Sequence, residues 1–199
     1  IIDDNSPDGT GDLADLLANK HPQLRVLHRQ AKQGLGRAYI AGFEWAIENG
    51  YDFIVQMDAD GSHRPDDLPL VVEAAAENRL VIGSRWVPGG AVLNWPWYRQ
   101  WISRAGNLYA RLTLRSHVKD ITAGFRCYPV SFLTGLELEL VRAQGYGFQI
   151  EMTKLAQDSG VAVEEVPITF VERESGVSKM TYKIIFEAFW LCTKWAFRR

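Results

Sequence analysis

The residues best suited to chemistry in this 199-residue chain are Asp58 and Asp60, separated by Ala59 and preceded by the apolar run DFIVQM at 52–57. That run reads as a buried strand, and ligands of open α/β sheets sit beyond the carboxyl ends of strands. Residues i and i+2 of a strand share a face and lie about 7 Å apart. Two carboxylates at that separation repel by roughly 2 kcal/mol at an effective dielectric of 20. A divalent cation bridging to a phosphate reverses the sign, and carboxylate oxygens suit Mg²⁺ or Mn²⁺. D-x-D alone is also a common solvated turn, so the preceding strand is what gives this pair weight.

A second acidic cluster, DDNSPDGT at 3–10, follows the strand end Ile1-Ile2. Part of it reads as an Asx turn and helix N-cap, which needs no ligand. Placed beside Asp58 and Asp60 in a parallel sheet, Asp3 and Asp4 are expected to form one acidic pocket around a base, a ribose or a metal. The glycine turn GLGRA at 34–38 lacks the third glycine of a dinucleotide fingerprint and the Lys-Ser/Thr of a P-loop.

Basic residues gather elsewhere: Arg85, Arg99, Arg104, Arg111, Arg115 and Arg126, then Arg173 and Lys179. Trp86, Trp95, Trp97 and Trp101 interleave with them. Arg forks grip phosphate bidentately, and Arg with Trp is also a membrane-interface signature. The chain has 22 Lys and Arg against 24 Asp and Glu, a net charge of −2. With a pI near 6.1, it has no global positive field for nucleic acid, so anionic ligands must be met by local clusters.

These side chains need a scaffold. Helical patterns at 12–20, 34–49 and 65–77 alternate with strand patterns at 24–28, 52–57 and 80–83, which favours a mostly parallel sheet with helices on both faces. Gly, Pro and Trp break the rhythm at 86–101, and further elements are expected at 104–115 (helix), 122–128 (strand), 148–158 (helix) and 161–170 (strand). Residues 1–179 read as one domain. Residues 180–199 read as an amphipathic helix that either completes the core or lies in the headgroup plane. A strand end needs a neighbour for its ladder groups, so a further strand is expected ahead of Ile1. Two cysteines, Cys127 and Cys192, are too few for a disulfide framework or a cysteine-built zinc site. No uncharged apolar run reaches the roughly 18 residues of a membrane span.

Eight blocks in order carry a resemblance: DDNSPDGT at 3–10, GLGRAYIAGF at 34–43, MDADGSHRP at 57–65, GSRWVPGG at 83–90, NWPWYRQWISRAGN at 94–107, DITAGFRCY at 120–128, GYGFQIE at 145–151 and PITFVERESGVSKM at 167–180. Together they resemble the polyprenol (dolichol)-phosphate mannosyltransferases, family-2 glycosyltransferases of GT-A (Rossmann-like) fold, and the actinobacterial polyprenol monophosphomannose synthases in particular. The resemblance implies transfer of mannose from GDP-mannose to a polyprenyl phosphate with inversion. It implies that Asp58 and Asp60 bind Mg²⁺ or Mn²⁺ and act in catalysis with Arg85. Ser62, standing where some relatives carry a metal-binding Gln, is expected as the third metal ligand. Asp3, Asp4, Asp58, Ala59 and Asp60 would bind the donor, with Arg173 and Lys179 in a loop closing over it. Arg85, Arg99 and Ser103 would bind the acceptor phosphate. Asp120 and Gln149 match motif positions with no assigned role. The family's first strand does not appear in this chain, in line with the strand expected ahead of Ile1. A membrane protein partner and peripheral attachment to the cytoplasmic face of the plasma membrane are expected, through the Trp-rich segment and the last helix.

The chemistry of the residues agrees. A phosphate monoester is largely anionic at neutral pH and needs little help from a base. The transition state has oxocarbenium character, and the leaving diphosphate develops charge that a metal can absorb. Two anions must approach each other, so cations must separate them. The alternatives are another donor such as UDP-glucose, or a non-catalytic module that docks on membranes.

Overall fold

The computed structural model describes residues 1–141, 143, 145–172 and 182–197, the last group with side chains from Ala188 onward. The chain opens with β1 (Ile2–Asp3), α1 (Thr10–Lys20) and β2 (Leu27–His28), and β1 pairs parallel with β2. Helix α2 (Leu35–Glu48) begins after Gly34, whose φ of 97° suits only glycine, and buries Ile40, Phe43 and Ala46 at helical spacing. A Cβ on Gly42 would stand 2.5 Å from Ile2 Cδ1, so glycine is what lets α2 lie against β1.

The main sheet contains β3 (Phe53–Gln56), β4 (Arg79–Ser84), β6 (Arg126–Pro129) and β7 (Ala162–Pro167) in the order β3-β6-β4-β7. Strand β6 is antiparallel to both β3 and β4, and β4 is parallel to β7. Three of the four strands therefore run the same way, with one returning strand between β3 and β4. Alternation along β4 sends Leu80 and Ile82 to one core and Val81 to the other. Helix α2, α4 (Trp97–Leu114), α5 (Val130–Thr134), α6 (Tyr146–Asp158) and α7 (Tyr182–Phe197) cover the first face. Helix α3 (Leu68–Glu73), entered through a 3-10 turn at Pro65–Asp67, covers the second face with Val71.

Three details differ from the sequence reading. The run ending at Asp58 is not a fully buried central strand: β3 pairs only with β6 among the described residues, and Phe53 is exposed. An open cavity of about 320 Å³ lies between β1 and β3, lined by Ile1, Ile2, Tyr39, Phe43, Ile54 and Met57 among others. The strand pattern at 161–170 splits at Ile168 into β7 and β8 (Thr169–Val171), and β8 pairs parallel with β5 (Ala91–Leu93). Helix α4 starts seven residues earlier than the pattern at 104–115, because Pro96 serves as its cap and Trp97 to Ser103 continue its turns.

Candidate active site

Asp58, Ala59 and Asp60 lie in the loop that leaves β3. Asp58 Oδ1 accepts a 2.7 Å hydrogen bond from the Tyr39 hydroxyl, and burial beside Asp58 raises the Tyr39 pKa so that it stays a donor. The Asp58 backbone N–H donates to His63 Nδ1 at 3.1 Å. His63 is therefore the neutral tautomer protonated on Nε2, in keeping with a pKa lowered by burial. Asp60 Oδ1 accepts from both the backbone N–H and the hydroxyl of Ser62. Ser62 is buried and its hydroxyl donates to Asp60, so it braces the carboxylate expected to hold the metal.

The four aspartates do not converge as one metal-holding cluster. Among the described residues no three His, Cys, Asp or Glu side chains converge to hold a metal. Asp4 pairs with Arg29. Asp3 is buried, accepts from the Ser6 backbone N–H at 3.3 Å and stands 3.6 Å from His28; the Ser6 hydrogen bond holds its carboxyl below the usual range. The cause is topological. Strand β1 belongs to a separate pair with β2, and the open cavity separates that pair from β3. Asp58 and Asp60 still suit a divalent ion, because Mg²⁺ binds through one or two carboxylates and takes its other ligands from water and substrate phosphates.

Arg85 has a side-chain partner that the sequence did not reveal. Its Nε and Nη2 grip Asp120 at 2.7 and 2.6 Å, and its backbone N–H reaches Asp120 Oδ2 at 2.9 Å. Both side chains are buried. Burial alone would lower the Arg85 pKa, and Asp120 more than offsets it. Asn107 and Thr122 complete the network. The guanidinium fork closed on a buried carboxylate ties Arg85 in place beside the aromatic rings. Its Cζ lies 5.4 Å from the rings of Trp95 and Phe170 and 5.6 Å from Trp86.

Arg99 stands on the outer side of the same stack, 4.1 Å above the Trp95 ring, with Nη1 on Glu172. Ser103 is one turn further along α4, on the same face. Arg99 Nε, Trp95 Nε1 and Trp86 Nε1 are buried N–H donors with no partner among the described residues. Arg173 and Lys179 lie outside the described residues.

Strand β8 joins the acidic and basic halves. Its Phe170 pairs with His63 across an isolated bridge, and the two rings meet at 5.4 Å. Phe170 also meets Trp95 edge-on at 5.3 Å. Val171 N–H donates to Ser62 O at 3.0 Å, and Glu172 N–H to Leu93 O at 3.1 Å. The carboxylate loop and the arginine stack are thus neighbours across one layer of aromatic rings. Sequence reading missed His63, Phe170 and Glu172. The motif HRP after DADGS was the available signal for His63; nothing in the sequence placed Phe170 between the two halves.

The family model for glycosyl transferase family 2 matches residues 1–135. The chain belongs to that family. It is 53% identical over 195 residues to the undecaprenyl-phosphate mannosyltransferase of Micrococcus luteus, covering 98% of this chain and 80% of that protein. It is 50% identical over 200 residues to the polyprenol monophosphomannose synthase of Mycolicibacterium smegmatis, covering 100% of this chain and 76% of that protein. Among solved structures it is similar to glucosyl-3-phosphoglycerate synthase from Mycobacterium tuberculosis in complex with phosphoglyceric acid, with a TM-score of 0.65, 17% identity, and coverage of 96% and 67% of the two chains. The same enzyme with Mn²⁺, UDP-glucose and phosphoglyceric acid gives a TM-score of 0.62 at 20% identity, again covering 96% and 67%. These likenesses show the GT-A fold. This family-2 glycosyltransferase is therefore an enzyme of sugar transfer.

Proposed function

We propose that the chain transfers mannose from GDP-mannose to a polyprenyl phosphate, releasing GDP and inverting the anomeric carbon. Two relatives at 50 and 53% identity carry names of that activity. The observation that carries the acceptor assignment is the set of three unpartnered buried N–H groups, on Arg99, Trp95 and Trp86, beside a guanidinium. Buried donors without acceptors cost about 1–3 kcal/mol each, and an anionic headgroup supplies what they lack. Arg99 and Ser103 contact the phosphate in this reading, while Arg85 holds Trp95 from behind.

Asp58 and Asp60 hold Mg²⁺ or Mn²⁺, with Ser62 bracing Asp60. The ion, when bound, neutralises charge on the departing diphosphate. The protein's own residues position the partners. Tyr39 and His63 fix Asp58, and the Phe170 layer keeps the acceptor's anion apart from the carboxylates. No general base is required, because the acceptor oxygen already carries charge. Asp3, Asp4, Arg173 and Lys179 are assigned to the donor side.

No helix among the described residues is long and apolar enough to cross a membrane. Helix α4 exposes Trp97, Trp101, Leu108 and Leu112, and α7 exposes Trp190 and Phe197. We assign these to the surface of the membrane that holds the lipid acceptor, on its cytoplasmic face. The other side of α7 packs on α4, where Tyr109 stacks on Phe189 at 4.2 Å, so the last helix serves both core and surface. A membrane protein partner belongs to the same face.

The test offers radiolabelled GDP-mannose and UDP-glucose in turn, with polyprenyl phosphate in vesicles, with and without chelator. Metal-dependent labelling of lipid from GDP-mannose is expected. Labelling from UDP-glucose alone, or chelator-resistant transfer, overturns the reading.

A further inference from the structure

Gly124 lies in the loop before β6, held by a 2.8 Å hydrogen bond from Gln56 Nε2 to its carbonyl. Its φ is not in the left-handed region, so the backbone does not demand glycine there. Nor does crowding: a Cβ would sit 3.6 Å from His63 Cε1, 3.7 Å from Asp58 Oδ2 and 3.9 Å from Gln149 Nε2, all ordinary contacts. The fold would accept alanine. What glycine preserves is a small space bounded by a carboxylate, an imidazole and an amide.

Gln149 is the informative wall. It stands in the first turn of α6 and is 3% exposed. Its backbone carbonyl accepts from Arg126 Nη1 and from the Thr153 hydroxyl, both at 2.9 Å, which fixes the turn. Arg126 is itself fully buried and also donates to the carbonyls of Ile121 and Ala123. The turn carrying Gln149 and the loop carrying Gly124 are therefore tied together by one guanidinium. Yet the Gln149 side-chain Oε1 has no hydrogen-bond partner among the described residues. A buried, rigidly placed amide with an unanswered acceptor is destabilising unless a ligand answers it.

An amide presents an acceptor and a donor side by side, the complement of neighbouring hydroxyls on a sugar ring. It exchanges no proton at neutral pH, so its role is binding. We propose that Gln149, across the space kept open by Gly124 and beside Asp58, hydrogen-bonds hydroxyl groups of the transferred hexose and so determines sugar specificity. The inference rests on the glycosyl-transfer reading and names the residue that recognises the sugar, as distinct from the nucleotide or the lipid.

The experiment measures binding by calorimetry, with Mn²⁺ present, for wild type, Gln149→Leu and Gly124→Ala. The probes are GDP, GDP-mannose, a series of monodeoxy GDP-mannoses, and UDP with UDP-glucose. Gln149→Leu is expected to weaken GDP-mannose about tenfold, the scale of one or two hydrogen bonds, and to leave GDP unchanged. Gly124→Ala fills the space and gives the same selective loss. The deoxy analogue that lacks the recognised hydroxyl binds wild type weakly and is not weakened further by Gln149→Leu. Thermal melting controls for folding: removing an unpaired buried acceptor leaves the Tm equal or higher. If both variants bind sugar nucleotide and free nucleotide in the wild-type ratio, the space holds solvent only and the inference fails, whichever donor binds. If wild type prefers UDP-glucose and the variants weaken it selectively, the mannose reading fails and the hydroxyl site stands.

Discussion

Asp120→Asn decides what Arg85 does. Asp120 is completely buried and receives Arg85 N, Nε and Nη2. Asparagine preserves the shape but removes the counter-charge, and it turns one acceptor into a donor facing a guanidinium. Removing one partner of a buried ion pair costs about 3–5 kcal/mol. For a chain of 199 residues, each kcal/mol moves the melting temperature by roughly 2–4 °C. The variant should therefore melt roughly 10 °C below wild type, measured by calorimetry or circular dichroism. Removing both charges, with Arg85→Met and Asp120→Leu together, should recover most of that loss, because two apolar side chains of similar volume leave no stranded charge. The cycle of single and double variants then gives a large favourable coupling. The competing role for Arg85, direct contact with the acceptor phosphate, predicts another pattern. In that case Asp120→Asn would leave melting within about 2 °C, and Arg85→Lys would raise the KM for lipid phosphate without loss of stability. That pair of results would refute the structural assignment.

Four further outcomes follow from the same geometry. Asp60→Ala should abolish transfer and Mn²⁺-dependent nucleotide binding, while melting within about 2 °C of wild type because Asp60 lies on an exposed loop; metal-dependent binding that survives would remove the ion from Asp60. Arg99→Ala should raise the KM for polyprenyl phosphate at least tenfold and change the donor KM little, which steady-state kinetics with each substrate varied will show. Trp97→Ser with Trp101→Ser, both on the exposed face of α4, should release the protein from lipid vesicles in a sedimentation assay while leaving melting unchanged. His28 should titrate above its ordinary value near 6.5, because Asp15 and Asp3 favour the imidazolium. A raised folded-state pKa stabilises the fold below the unfolded value, and that contribution disappears as pH rises through the folded value. NMR titration of the imidazole checks it, and Asp15→Asn should bring the pKa back down.

Much of the fold was legible because it depends on local pattern. The alternation of strand and helix in the first half, the helix over 34–49 and the strand before Asp58 follow from hydrophobic period and turn residues. The long-range features were not legible. Nothing local tells β6 to insert between β3 and β4 in the opposite direction, since register across 70 residues (Gln56 to Arg126) is set by tertiary contacts. At the candidate site, the proposed role of Asp58 and Asp60 comes from their type and spacing. The burial of Arg85 was not visible, because an arginine that binds phosphate and one that binds a distant aspartate look alike in sequence. Asp120 was singled out there as a motif position, without the partner that explains it.

The arrangement also answers a question raised by the chain's near-neutral charge. A transferase for two anionic substrates must attract both and then let them meet at one carbon. Evenly mixed surface charge would attract neither strongly. Here the carboxylates of the β3 loop and the guanidinium of Arg99 sit on opposite sides of the His63, Phe170 and Trp95 rings. Those rings carry no charge to screen either side, and they exclude the water that would. They also touch each other through defined edges, so the spacing between the two half-sites is set by packing rather than by a mobile loop. Phe170→Ala tests that argument directly. The variant keeps every charged residue, yet it removes a ring in contact with both His63 and Trp95, and a buried Phe lost to Ala costs about 3–5 kcal/mol when fully enclosed. Phe170 is only half-buried, so stability should fall by less, about 1–2 kcal/mol, while kcat falls at least a hundredfold at saturating concentrations of both substrates. If kcat stays within threefold of wild type, the rings do not set the distance between donor and acceptor, and the two half-sites must be aligned by the substrates themselves.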